Sequence, residues 1–268
     1  MATILVAMPE RTYRQIMTPE LEAALYALGE IRPCLQASEL SEAEYGELWE
    51  QADAALTGWG VRPPTPAMLD RATHLQIISH TAGSVRMLPR YALEKGIVIT
   101  SARAAIARTV AEYCLFSALL LLRRALYYLD ADPARKAFLA SDGSRPRSET
   151  LFGKTVGLIG FGCVGTQFRQ LLAPFGCRVL VYDPYLSEEA AEYHQVERAD
   201  LPALLQAARI VSLHAPDIPE TRGLIGAREL TSMPDGAIVI NSARGRIVAT
   251  EALTAELQKG RLGIYILH

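Results

Sequence analysis

The stretch KTVGLIGFGCVGTQF, residues 154–168, constrains the fold of this chain more than any other. An apolar run ends at Ile159 and meets Gly160-x-Gly162-x-x-Gly165 without a break, and helix-compatible residues follow. Strand, tight turn and helix start in that order open a parallel α/β unit that binds dinucleotides. Each glycine has its own reason. Gly160 permits the turn, Gly162 lets backbone approach a pyrophosphate, and Gly165 lets helix pack on strand. The pyrophosphate then lies over free N–H groups at the positive end of the helix, beside Cys163 and Val164.

The next strand candidate, CRVLVYD, ends in Asp183. Counting from Gly165 gives 183 − 165 = 18 residues, close to the spacing of about 20 at which a carboxylate meets ribose hydroxyls. Such a carboxylate repels a 2′-phosphate, and Pro184 and Tyr185 follow it instead of an arginine, so NAD is expected rather than NADP. Later strand ends face the same crevice. SLHAP puts His214, Ala215 and Pro216 there, and VINSARGR puts Asn241, Ser242, Ala243 and Arg244 there. An arginine between small residues at the end of an apolar strand invites an anion. The plainer alternative is a surface arginine paired with an acid.

Alternation extends over the rest of the chain. Strands are expected at TILVAM, IRPCL, DAALTG, LQIIS and GIVIT in the first hundred residues. Helices are expected between them at Thr18–Leu28, Ser38–Gln51, Thr65–Arg71 and Val85–Lys95. Thr65-Pro66 has the form of an N-cap followed by proline in the first turn. A helix apolar almost all round is expected from Thr109 to about Leu129, and a polar connection from Asp130 to Glu149. Beyond the glycine motif, strands are expected at RIVSLH, GAIVIN and RLGIYIL, with helices at Gly165–Ala173, Leu201–Ala207 and Thr250–Lys259. A net charge of −2 without basic blocks gives no reason to expect nucleic acid as a partner, and the apolar run Leu115–Leu122 is short for a bilayer span. Four scattered cysteines without a CxxC pair fit reduced thiols in a cytoplasmic protein, and no metal-ligand spacing stands out.

GKTVGLIGFGCVG, VYDP, SLHAPDIPETRGLIG and MPDGAIVINSARGRIV occur in the order in which they occur in the NAD-dependent D-isomer-specific 2-hydroxyacid dehydrogenases, and from about Ile77 onward the chain resembles that family. The resemblance implies two doubly wound parallel α/β domains: a flavodoxin-like substrate domain over residues 1–103 and a Rossmann NAD-binding domain over 104–268. It also implies hydride transfer between NAD(H) and C2 of a 2-hydroxy or 2-keto acid. Arg244 falls where the family's arginine binds the carboxylate and polarises the carbonyl. HTAGSV matches the loop whose N–H groups hold that carboxylate, here Ala82, Gly83 and Ser84, although the family usually has glycine in place of Ser84. The motif around HAPDIPET adds Thr221 to the cofactor residues, along with His214, Ala215, Pro216, Ser242 and Ala243. The long helix near Thr109 corresponds to the family's dimerisation element, which implies a homodimer.

The family completes its site with a glutamate and then a histidine, the acid–base pair, and both positions fall past His268. The final strand reads GIYILH, with His268 where the family has an aspartate. The resemblance therefore implies a truncated and impaired enzyme, since acid–base catalysis contributes about 10²–10⁴-fold. His80, beside the substrate loop, is the one conceivable substitute, and His74 and His194 read as surface residues. Two further readings stay open: a non-catalytic NAD-binding dimerising protein or inactive relic, and another Rossmann enzyme sharing only the glycine loop. NSARGR argues against the latter.

Overall fold

A computed structural model describes residues 1–129, 148–262 and 264–267. The connection expected at Asp130–Glu149 falls largely outside these residues, as does His268. The chain divides into two compact units, Met1–Ile106 and Ala107–His268.

The first unit holds β1 (Ala2–Ala7), β2 (Gly29–Cys34), β3 (Ala54–Thr57), β4 (Ile77–His80) and β5 (Val98–Ser101), all parallel in the order β2-β1-β3-β4-β5. This is the flavodoxin-like order. Its helices are α1 (Glu10–Ile16), α2 (Pro19–Tyr26), α3 (Glu42–Glu50), α4 (Pro66–Arg71) and α5 (Tyr91–Glu94). Thr65 caps α4, its hydroxyl accepting the Met68 N–H, with Pro66 in the first turn. Helix α3 begins at a Ser41–Glu44 capping box, three residues inside the expected start. The core gathers Leu5, Tyr45, Trp49, Leu69 and Ile78 on one face of the sheet. Along β3 and β4 buried residues alternate with half-buried ones, so the two faces are unequally covered.

Two expectations for this unit are corrected. Val85–Lys95 is not one helix: Pro89 breaks it and only Tyr91–Glu94 is helical. Helix α1 was not expected, because ERTYRQI buries only Thr12 and has no apolar periodicity.

Helix α6 (Arg103–Leu122) contains the boundary between the units. It starts six residues before the expected Thr109 and stops at Arg123–Arg124, where Arg124 takes φ 51°; α7 (Ala125–Leu129) follows. No glycine or proline marks that break. Among the described residues α6 alone is long and apolar enough to cross a membrane. One side of it, Ala111, Cys114, Ala118, Leu121 and Leu122, joins a core cluster with Val156, Leu158 and Phe168, while Phe116 on another side is exposed.

The second unit holds β6 (Thr155–Ile159), β7 (Arg178–Tyr182), β8 (Glu197–Arg198), β9 (Ile210–Leu213), β10 (Ile238–Asn241) and β11 (Ile264–Leu267). All pairings are parallel, in the order β11-β10-β9-β6-β7-β8. That is the doubly wound dinucleotide order, its switch point lying between β6 and β9. β9 and β10 are buried at every residue, as a sheet covered on both faces requires. The helices are α8 (Cys163–Leu172), α9 (Glu188–Tyr193), α10 (Leu201–Ala207), α11 (Ala227–Ser232) and α12 (Thr250–Gln258). Neither α9, capped by Ser187, nor α11 was expected, both being short and polar. All four cysteines are free.

The far end of the second sheet is pinned electrostatically. Arg209 Nη2 and Nε meet the two oxygens of Glu149 at 2.5 and 3.2 Å, and Lys154 adds a contact at 2.8 Å. The Arg209 hydrogen bonds, and then those of Lys154, hold the Glu149 carboxyl down at about 2. A depressed carboxylate stabilises the fold above its unfolded pKa and loses that contribution as pH falls. Glu149→Gln is expected to cost about 1–2 kcal/mol at neutral pH after discounting for solvent screening. In urea melts the gap to wild type should hold above about pH 5 and close between about pH 4.5 and 2.

Candidate active site

β6 ends at Ile159, and the chain turns back at Gly160 with φ 93°. A Cβ at Gly160 would lie 2.7 Å from the Ala215 nitrogen and 2.8 Å from the His214 carbonyl carbon. Both obstacles are backbone, so only glycine fits. Gly162 caps α8, and a Cβ built there meets nothing within 4 Å, so the backbone is open to an approaching group. At Gly165 a Cβ would come within 2.5 Å of the Gly160 oxygen, the close helix–strand approach. Among the described residues the N–H groups of Gly162, Cys163, Val164 and Gly165 have no acceptor. They form the free first turn of a helix whose dipole favours an anion.

Asp183 follows β7. Its two carboxylate oxygens accept the Phe161 N–H at 2.7 Å and the Tyr185 N–H at 2.8 Å. A carboxylate offers about four lone-pair positions, so two remain for hydroxyl groups. Phe161, Gly162, Thr166, Asp183, Tyr185 and His194 line one groove. His194, read from sequence as a surface residue, is half-buried with its ring edge-on to Phe161 at 5.3 Å. Nothing in the sequence announced this wall, because it depends on α9.

Ala215 is buried at the end of β9, and Pro216 is exposed. The His214 ring does not project outward. Nδ1 lies 2.8 Å from Ser242 Oγ, the ring packs against Phe168, and Nε2 is shielded without a partner. The Ser242 hydroxyl donates to the Leu213 carbonyl at 3.1 Å, so it accepts from Nδ1–H and leaves Nε2 bare. Burial pushes His214 down to about 3, so the imidazole stays neutral. Sequence placed His214 among the cofactor residues; its side chain instead joins the packing under α8. Thr221 braces its own turn, accepting the Ile218 N–H and donating to the Pro216 carbonyl.

Arg244 stands exposed past β10. Its Nη1 donates to the Ala243 carbonyl at 2.7 Å, and among the described residues no carboxylate lies within ion-pair distance. The alternative of an acid-paired surface arginine finds no such partner.

In the first unit, Ala82, Gly83 and Ser84 follow β4. Thr81 is fixed by its N–H and hydroxyl, both donating to the Thr57 carbonyl. The Ala102 N–H is shared between the His80 and Ala82 carbonyls at 3.0 and 3.2 Å. Among the described residues the N–H groups of Ala82, Gly83 and Ser84 have no acceptor. His80 is buried, its Nδ1 2.8 Å from Thr57 Oγ1, and burial lowers its pKa. No cluster of metal-ligating side chains exists among the described residues.

Residues 116–267, more than half of the chain, match the model of the D-isomer specific 2-hydroxyacid dehydrogenase NAD binding domain. A D-3-phosphoglycerate dehydrogenase of Methanocaldococcus jannaschii is 30% identical over 249 residues, covering 92% of this chain and 47% of that protein. 2-Hydroxyacid dehydrogenase A of Aspergillus oryzae is 41% identical over 114 residues, 42% of this chain and 32% of that protein. The chain thus spans less than half the length of these curated relatives. The NAD⁺-bound D-lactate dehydrogenase of Lactobacillus jensenii shares the fold with a TM-score of 0.77 at 24% identity, over 99% of this chain and 78% of that one.

The glycine geometry separates stability from binding. Gly165→Ala should cost about 1–3 kcal/mol, because a methyl group meets backbone. Gly162→Ala should cost only about 0.5 kcal/mol, the ordinary difference at an N-cap. Urea denaturation of the two variants checks the contrast.

Proposed function

The chain belongs to the D-isomer-specific 2-hydroxyacid dehydrogenase family, and from that premise we propose that it binds NAD(H) and the anion of a 2-hydroxy or 2-keto acid. The observation that carries the proposal is the row of acceptor-free N–H groups at the start of α8, opened by a glycine whose Cβ position is empty. Gly162, Cys163, Val164 and Gly165 would take the pyrophosphate. Asp183 would take the ribose hydroxyls, its charge opposing a 2′-phosphate. Ala215, Pro216, Thr221, Ser242 and Ala243 would border the rest of the cofactor. When bound, the nicotinamide supplies or accepts the hydride.

Arg244 would hold the substrate carboxylate and polarise the carbonyl, a role that suits a planar fork of donors. In the first unit, the acceptor-free N–H groups of Ala82, Gly83 and Ser84 would offer donors to an acid anion. Proton transfer is the weak point. His80 and His214 are kept neutral by burial, and among the described residues no histidine pairs with a carboxylate that would orient it. Turnover by these 268 residues is therefore expected to be slow. The exposed Phe116 side of α6 fits a homodimer, and free thiols fit the cytoplasm.

NADH fluorescence titration tests the reading. Wild type should shift the emission, NADPH should bind more weakly, and Asp183→Ala should weaken NADH at least tenfold. Folded protein without affinity for NADH overturns the proposal. Pyruvate, glyoxylate and hydroxypyruvate should be reduced slowly; none reduced despite tight NADH binding would favour the non-catalytic alternative.

A further inference from the structure

Arg244 is held from behind by one side chain. Asn241 is the last residue of β10 and is fully buried. Its Oδ1 accepts the Ala243 N–H at 3.1 Å, and its Nδ2 donates to the Arg244 carbonyl at 2.9 Å. The same carbonyl accepts the Ile247 N–H at 3.2 Å, which starts the short turn Gly245–Ile247. One planar amide thus grips the backbone on both sides of the residue 243–244 peptide. The next residue, Ser242, is tied by its hydroxyl to the Leu213 carbonyl and to His214. The guanidinium end is steadied by the Ala243 carbonyl.

We propose that Asn241 is the positioning residue of Arg244, its amide fixing the backbone from which the guanidinium reaches the acid anion. The inference rests on the reading of Arg244 as the anion-binding residue. An amide is needed because the grip takes one donor and one acceptor at fixed spacing. Aspartate keeps the acceptor and loses the donor; alanine loses both. A long flexible side chain recognises a planar anion well only when its root is fixed, since misplacement by about 1 Å can cost on the order of 10²-fold.

The test uses oxamate, a 2-keto acid analogue, titrated into NADH-saturated protein by fluorescence. Asn241→Asp and Asn241→Ala should weaken oxamate at least tenfold while NADH affinity stays within twofold and both variants remain folded by thermal melting. If Arg244→Ala abolishes oxamate binding but both Asn241 variants bind it within twofold of wild type, the inference is wrong and the Arg244 reading survives. If Arg244→Ala, or wild type itself, shows that oxamate does not depend on Arg244, that reading falls and takes the inference with it. Hydrogen exchange needs no ligand and covers the case where a variant melts early. The Ala243 amide should be protected in wild type and in Asn241→Asp, and exchange at least tenfold faster in Asn241→Ala. An Ala243 amide unprotected in wild type would refute the grip itself.

Discussion

The tight crossing at Gly160 decides the geometry of the second unit. β6 and β9 are neighbours, and the chain leaves their ends in opposite directions. At that fork the Gly160 backbone passes so close to His214 and Ala215 that no side chain fits between. Because the turn is that short, α8 starts immediately above the sheet edge, and its unsatisfied N–H groups gather at one point instead of dispersing along a loop. The close contact of Gly165 with the Gly160 oxygen keeps the helix seated there. Two backbone approaches, each below ordinary van der Waals distance for a Cβ, therefore create the anion-favouring spot before any side chain contributes.

Charge around that spot is arranged asymmetrically. Asp183 has each oxygen engaged by a backbone N–H, so its position is fixed. Arg244 has no acid beside it among the described residues, so its positive charge is not cancelled locally. Acid–arginine pairs do exist: Arg222–Asp217 in the loop after β9, Arg209–Glu149 at the opposite end of the sheet, and Arg261 with Glu256 and Asp235 after α12. Arg209 and Arg261 are paired with acids where they hold the fold, whereas the proposed role of Arg244 needs a guanidinium with no acid beside it.

The motifs were legible because they encode backbone needs. Glycines at fixed spacing, a carboxylate at a strand end and proline in a first turn each have one strong local cause, and Thr65-Pro66, Gly160 and Asp183 could be read without neighbours. Two parallel, doubly wound α/β sheets followed from the strand–helix alternation combined with the family resemblance. What escaped depends on tertiary contacts. Helix α9 builds the His194–Phe161 wall from an alanine- and glutamate-rich segment with little apolar pattern. The inward turn of His214 depends on Ser242, twenty-eight positions away, and on Phe168. The grip of Asn241 is short-range in sequence, yet an asparagine at a strand end has many uses, and only the two bond lengths single one out.

The two buried histidines lead to a conclusion about chemistry. His80 and His214 each give one ring nitrogen to a hydroxyl, Thr57 or Ser242, and keep the other shielded. A hydroxyl cannot stabilise an imidazolium as a carboxylate does, and burial opposes the charge further. Both rings therefore remain neutral at strand ends where a proton donor would be useful. In the second unit the positive potential at the strand ends comes from other groups: the helix N–H groups and the Arg244 guanidinium. Anion binding of the kind proposed for the second unit draws on those fixed groups, and proton delivery falls to a group other than these two histidines.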